Sequence, residues 1–140
     1  MSFLCDELTL EEKYIYLGAL AYVLNINKKP SPAKIDYLQS KVKEVCLSAA
    51  ELKKIKTPPI EQLATKLKAI KNVISRRYIL RDMILLATAD HDLSDKEVDA
   101  IYKLGMGAGI SQDKIDDIFM WSAQGVAWQI EGIRLIEEDI

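Results

Sequence analysis

The chain has 140 residues, of which 49% are hydrophobic and 29% are charged, as expected for one globular domain of ordinary size. Its longest apolar run, residues 14–24, is much shorter than the roughly 20 residues that cross a bilayer, which argues against an integral membrane protein. The net charge of −2 is unevenly distributed: residues 28–81 hold 14 Lys/Arg against 4 Asp/Glu, and residues 82–140 hold 4 against 13. The basic middle and acidic ends either attract each other in the fold or face different partners.

Helix-start patterns recur along the chain and predict an all-α fold of about seven helices in a single domain. In all but one of these patterns a Ser or Thr cap, or a proline in the first turn, precedes a run of apolar residues at helical spacing. No segment shows the sustained alternation of a β-strand. The predicted starts are Thr9, Ser31, Ser48, Thr57-Pro58-Pro59, about Val73, Ser94 and Ser111.

The two cysteines, Cys5 and Cys46, are 41 positions apart and form neither a CxxC motif nor a zinc-ligand spacing. We therefore expect two independent, chemically unremarkable thiols. The first residues lack the basic start and apolar stretch of a secretory signal. We expect a cytoplasmic protein.

The chain contains an internal repeat. Residues 24–55 align without a gap on residues 87–118, a shift of 63 positions. The helix caps coincide, because Ser31 aligns with Ser94 and Ser48 with Ser111, and five apolar core positions coincide as well. One helix-loop-helix unit is therefore used twice, over about residues 10–56 and 73–120.

The stretch ADHDLSDKE at residues 89–97 is a candidate metal site. Asp90, Asp92 and Glu97 can converge on one point, and carboxylate oxygens are the ligands that Ca²⁺, Mg²⁺ and Mn²⁺ prefer. The other interpretation is a helix start, in which Ser94 is the cap and Glu97 returns the capping-box bond. His91 is then a solvated loop residue. In the first repeat the aligned positions are Asn27, Lys29 and Lys34, whose lysines could satisfy such a site without an ion.

The same stretch resembles the tellurite-resistance TerB-like family. The family pattern is an apolar helix that runs into an Ala-Asp-Gly loop, followed by Ser-x-x-Glu at the next helix start; in this chain His91 stands at the position of the glycine. Here this corresponds to Leu86 through Glu97, and the later Gly109-Ile110-Ser111 is also similar; the resemblance covers about residues 10–120. It implies a duplicated all-α domain, one hard divalent cation (Ca²⁺, Mg²⁺ or Mn²⁺) at Asp90, Asp92 and Glu97, and a role in stress-response or tellurite-resistance complexes near the membrane.

Two further surfaces are candidates for partner binding. The basic middle, including Arg76 and Arg77, could contact an anionic membrane surface or, less favourably, nucleic acid, although it lacks the interleaved aromatic residues of single-strand binders. The predicted last helix carries Ile118, Trp121, Gly125, Trp128, Gly132 and Leu135 at alternating spacings of three and four. This stripe packs either in the core or against a partner, with Trp121 and Trp128 as anchors.

No set of residues suited to catalysis is apparent. The chain has one histidine, no cysteine near it in sequence and no phosphate-binding loop. The function we expect is a non-catalytic TerB-like interaction module with a protein partner, a second copy of the chain being one alternative. The competing interpretation is a basic-face binder of anionic membrane or nucleic acid, without a metal site.

Overall fold

The computed structural model describes residues 3–138, and within this range all regular structure is α-helical, so the all-α prediction is confirmed. It contains eight helices in this range, one more than the approximate number predicted, since a short first helix was missed. The helices are α1 (Phe3–Asp6), α2 (Leu10–Leu24), α3 (Pro32–Glu44), α4 (Ala49–Leu52), α5 (Ile60–Lys68), α6 (Val73–Ala87), α7 (Asp95–Gly107) and α8 (Gln112–Glu137).

The predicted caps explain where most of these helices begin. Thr9, Ser48 and Ser94 each form a complete capping box with the glutamate three residues later. Ser31 and Ser111 accept a hydrogen bond from the backbone N–H three residues on. Each bond satisfies a backbone donor that the first helical turn leaves without a partner. Local sequence therefore sets five of the helix starts.

The hydrophobic core is built around α2 and α6, which pack against each other. Both helices are buried on several sides, with Leu17 and Leu20 of α2 and Ile79 and Met83 of α6 at most 2% exposed. A helix that is apolar all round belongs in the centre of a domain. The remaining helices pack around this pair, with α3 and α5 on α2, and α7 and α8 on α6.

The internal repeat is visible in the helix boundaries. Helices α2 and α3 begin and end 63 residues before α6 and α7, and α4 begins 63 residues before α8. The turn after each second helix also matches: Cys46 has φ 59° and Gly109 has φ 83°, the left-handed conformation that commonly ends a helix. The helix α5 has no counterpart and lies between the two units in the chain.

The expectation of two independent thiols is wrong. Cys5 in α1 and Cys46 in the turn after α3 form a disulfide, with their Cα atoms 5.4 Å apart. Spacing along the chain could not reveal this pairing, because the separation of 41 residues is bridged by the packing of α1 on the body. Leu4 and Leu8, on either side of Cys5 in sequence, are at most 5% exposed, so α1 is held by apolar burial as well as by the disulfide.

The last helix extends beyond the body of the domain. Ile115 and Ser122 of α8 are buried, whereas every residue from Ala127 to Glu138 is exposed. The hydroxyl groups of Thr88 and Ser122 are 3.1 Å apart, which places the C-terminal end of α6 beside the middle of α8. Among residues 3–138, no helix combines the length and the apolar character of a membrane span.

Candidate functional site

The acidic loop between α6 and α7 is a compact turn. Thr88 accepts a hydrogen bond through its carbonyl from the His91 N–H, and the Asp90 carboxylate accepts one from the Asp92 N–H at 3.0 Å. His91 is exposed and has φ 62°, a conformation that glycine adopts without the steric cost that a side chain adds. Short-range hydrogen bonds within the loop thus hold it at the N-terminal end of α7.

Glu97 is fully buried, and its partner is a lysine from the other repeat. The ammonium of Lys34, itself 2% exposed, lies 2.8 Å and 3.1 Å from the two Glu97 carboxylate oxygens. It also donates to the Asp92 carbonyl at 3.1 Å and lies 3.6 Å from Asp90 Oδ1. Ser94 donates to Glu97 through its N–H and its hydroxyl. Oxygen atoms of Glu97 and of the loop residues Asp90 and Asp92 therefore lie around the positive charge of Lys34.

The ionisation of Asp90 follows from the same contacts. Partial burial raises the pKa of its carboxyl group. Hydrogen bonds from the Ser31 hydroxyl and the Asp92 N–H, together with the Lys34 charge, lower this pKa by more than burial raises it. The net result is a pKa below the ordinary value for aspartate. Asp90 is thus a carboxylate at neutral pH, already engaged by residues of the two repeats.

The predicted metal ligands are only partly brought together. The carboxylates of Asp90 and Glu97 both approach Lys34, whereas Asp92 contributes its backbone carbonyl and leaves its side chain exposed. A divalent cation at this point would lie beside the Lys34 ammonium and compete with it for the same oxygens. Repulsion between the two positive charges, which is strong in a buried site, disfavours this arrangement. Within residues 3–138, no cluster of three His, Cys, Asp or Glu side chains is arranged as a metal site. The residues present fit the Lys34 ammonium better than a divalent metal ion.

Lys34 and Glu97 occupy equivalent positions in the two repeats, 63 residues apart. Equivalent residues meet when they lie near the axis that relates two copies of a unit. The alignment of the two repeats placed these two residues at one position, and the sequence indicated that a lysine could satisfy the loop of the first repeat without an ion. It did not predict that the lysine of one copy would reach the glutamate of the other.

A second buried polar cluster was not predicted. Asp82 is fully buried in α6, accepts two hydrogen bonds from Arg81 at 2.9 Å and 3.0 Å, and accepts one from the Tyr16 hydroxyl at 2.6 Å. The Tyr37 hydroxyl lies at 3.4 Å from the same carboxylate. Burial and the Asp82 charge raise the pKa of both tyrosines, so both stay neutral donors. The cluster ties α2 and α3 to α6.

The predicted stripe of the last helix is a surface feature. We define the α8 stripe as Ile118, Trp121, Gly125, Trp128, Gly132 and Leu135. Trp121 is 51% exposed, Trp128 is 77% exposed and Leu135 is 67% exposed. Core packing of the two tryptophans, one of the two interpretations of the sequence, is therefore wrong, and packing against a partner stays a prediction.

A trough runs beside the α8 stripe. Its larger part, of about 790 Å³, lies between α8, α3 and the end of α6, and includes Tyr37, Leu85, Trp121 and Trp128. A smaller part, of about 340 Å³, lies between α8 and the first turns of α6, and also includes Trp121. The two parts meet at Trp121, so the trough follows α8 from Lys114 to Gln129.

The two predicted basic residues differ in their surroundings. Arg76 is half-buried and donates a hydrogen bond to the Ala108 carbonyl at 2.7 Å, so it stabilises the C-terminal end of α7. Arg77 lines the smaller part of the trough together with Arg81 and Lys114. Both side chains are half-buried, but Arg76 is engaged with the end of α7, whereas Arg77 lines a trough that is open to a partner.

No protein-family model, curated protein or solved structure matches this chain. The TerB-like resemblance therefore stays a prediction that rests on the residues of the acidic loop and on the repeat.

Proposed function

We propose that the chain is a non-catalytic interaction module whose body holds α8 in place and whose α8 stripe binds an apolar surface of a protein partner. The observation that carries this proposal is the uncovered distal part of α8. From Ala127 to Glu138 every residue is exposed, although Trp128, Ile133, Leu135 and Ile136 are large and apolar and between 55% and 86% exposed.

Two physical arguments support an external partner for this segment. Isolated helices shorter than about 12–15 residues are marginal in water, since most helical stability in proteins comes from packing an apolar face. An exposed apolar patch rimmed by polar residues is also typical of an interaction site. Both arguments apply to the distal part of α8, in which every described residue from Ala127 onward is exposed.

The body of the domain has the rigidity that such a platform needs. The Lys34 salt bridge joins the two repeats, the Asp82 cluster joins three helices, and the disulfide fixes α1. In this proposal Lys34 takes the place of the hard cation that the family resemblance implies, and its charge holds the acidic loop in one conformation. The stress-response setting is proposed on the resemblance alone.

Photo-crosslinking in cells that make the protein tests the proposal. A photo-reactive amino acid replaces Glu131, a half-exposed residue of distal α8, and in a matched control replaces Lys68, an exposed residue of α5. We expect covalent adducts with protein at position 131 that are reduced by Trp128→Ser, and few at position 68. Equal adducts at both positions, or none at position 131, would contradict the proposal.

A further inference from the structure

We infer that α8 forms the interface of a twofold-symmetric dimer of this chain, in which two α8 stripes pack against each other in antiparallel orientation. The inference rests on the proposed function, because it takes the α8 stripe as a binding surface and names a second copy as the partner. Its basis is that the stripe is complementary to itself when reversed.

The complementarity follows from the order of the residues along α8. In an antiparallel pair, the twofold axis sets which positions of the two helices lie at the same level. We place the twofold axis at the midpoint between residues 126 and 127. Trp121 of one copy then lies opposite Gly132 of the other, and Trp128 lies opposite Gly125. Ile118 then lies at the level of Leu135. All six positions of the stripe are matched in one register.

In this register each tryptophan meets a glycine, and Ile118 meets Leu135. A Cβ atom added to Gly125 or Gly132 would have no heavy atom within 4 Å, so both glycines leave open space on the surface of α8. The tryptophans beside them are 51% and 77% exposed. Packing a large knob into the hole left by a small residue is how paired helices reach interior packing density.

A parallel pair would lack this fit. Its twofold axis would set Trp121 against Trp121 and Gly125 against Gly125, so that bulky residues would collide at one level and gaps would remain at the next. The acidic ends of the two helices, with Glu137 and Glu138, would also lie side by side. Like charges at an interface disfavour that arrangement.

The charges of α8 favour the antiparallel register. Glu137 and Glu138 of one copy fall at the level of Asp116 and Ile115 of the other, next to the smaller part of the trough. The Asp116 carboxylate accepts a hydrogen bond from the Tyr102 hydroxyl of α7, so it faces its own domain. That part is lined by Arg77, Arg81 and Lys114, with Asp117 as the one acidic residue among its described lining residues. Arg81 is already paired with the buried Asp82, so the acidic end of each helix meets Arg77 and Lys114 of the partner. This attraction also increases the association rate.

The exposed surface of the α8 stripe is of the size that a specific dimer buries. The stripe spans 18 residues from Ile118 to Leu135, or about 26 Å of helix. At about 250 Å² for a whole tryptophan, Trp121 and Trp128 together expose about 300 Å², more than a third of the roughly 800 Å² that each partner of a standard interface buries. The trough beside the stripe supplies contacts for the flanking residues of the partner helix.

Sedimentation equilibrium of the purified full chain tests the inference, with Gly125→Glu as the disrupting variant and Ala127→Glu as its control. Both substitutions add the same charge at an exposed position of the same helix turn, and Gly125 has room for a side chain in the monomer. We expect a dimer for the wild type and for Ala127→Glu. We expect Gly125→Glu to raise the dissociation constant at least 100-fold without loss of helical circular dichroism.

Spin labels at position 134 test the orientation. In the antiparallel register, the two labelled positions of Arg134→Cys are offset by about 22 Å along the helix axes, whereas in a parallel pair this offset is zero and the label distance is shorter. A wild-type chain that is monomeric at 100 µM, a dimer that Gly125→Glu leaves intact, or the short label distance would overturn the inference. Cross-links from position 131 to other proteins would still support the proposed function if the chain proved monomeric.

Discussion

Removal of the Lys34 charge should destabilise the domain far more than removal of an ordinary surface lysine. Lys34→Met keeps most of the apolar volume but leaves the fully buried Glu97 carboxylate without its counter-charge. Breaking a buried pair from one side costs about 3–5 kcal/mol. Because Ser94 still donates two hydrogen bonds to Glu97, we expect the lower end, about 3 kcal/mol.

Urea unfolding at pH 7, followed by circular dichroism, measures this difference. The matched control is Lys103→Met in α7, whose ion pair with Glu61 has side chains that are 59% and 75% exposed; such exposed pairs contribute about 0.2–1 kcal/mol. The double variant Lys34→Met with Glu97→Gln removes both charges and should recover most of the loss. A loss below about 1 kcal/mol for Lys34→Met would refute the view that the two repeats are joined by a buried ion pair.

The same site gives a direct test of lysine against metal. Lys34→Ala leaves the Glu97 and Asp90 carboxylates and the Asp92 carbonyl without a cation, an oxygen-rich set that suits Ca²⁺, Mg²⁺ or Mn²⁺. An ion at 100 times its dissociation constant should then restore about 2.7 kcal/mol, while the wild type should not respond. Equal stabilisation of the wild type would show that the loop binds metal in the presence of Lys34.

Three further predictions concern the loop and the disulfide. Cys46→Ser opens a disulfide whose partners are 41 residues apart, and the entropy of closing such a loop predicts a loss of about 4 kcal/mol, which urea unfolding with and without dithiothreitol would check. His91→Gly relieves a positive φ and should raise the free energy of unfolding by about 0.5–1 kcal/mol, after the gain in unfolded-chain entropy is subtracted; a loss would contradict the account of the loop. The folded-state pKa of Asp90 lies below its ordinary value of 3.8, so its stabilisation is complete at neutral pH and is lost as the pH falls through that lower value. Unfolding at pH 7 and pH 3 should therefore show a smaller acid-induced loss for Asp90→Asn than for the wild type.

Local signals in the sequence predicted most of the secondary structure. A cap residue acts on the three or four residues that follow it, so Thr9, Ser31 and Ser94 were visible without tertiary information. The first helix was missed because its four residues carry no such pattern and it is held by burial of Leu4 and by the disulfide. The repeat was visible because its caps and core positions recur at a constant shift.

The contents of the site needed the tertiary fold. The acidic pattern of Asp90, Asp92 and Glu97 is the same for a metal site and for a lysine-bound loop, and only the position of the Lys34 ammonium separates them. Asp82 and Tyr16, 66 residues apart, meet through packing and not through spacing. The α8 stripe had one pattern and two meanings, core or surface, since a period of three and four says which residues share a face but not what covers that face.

Amide hydrogen exchange along α8 tests the claim that the body holds α8 only as far as Val126 and leaves the rest of the stripe available to a partner. In monomeric protein, obtained by dilution or with Gly125→Glu, we expect strong protection from Ile115 to Val126 and a sharp fall from Ala127 onward. Uniform strong protection up to Glu137 in the monomer would contradict the claim, because the distal helix would then be stabilised by its own domain.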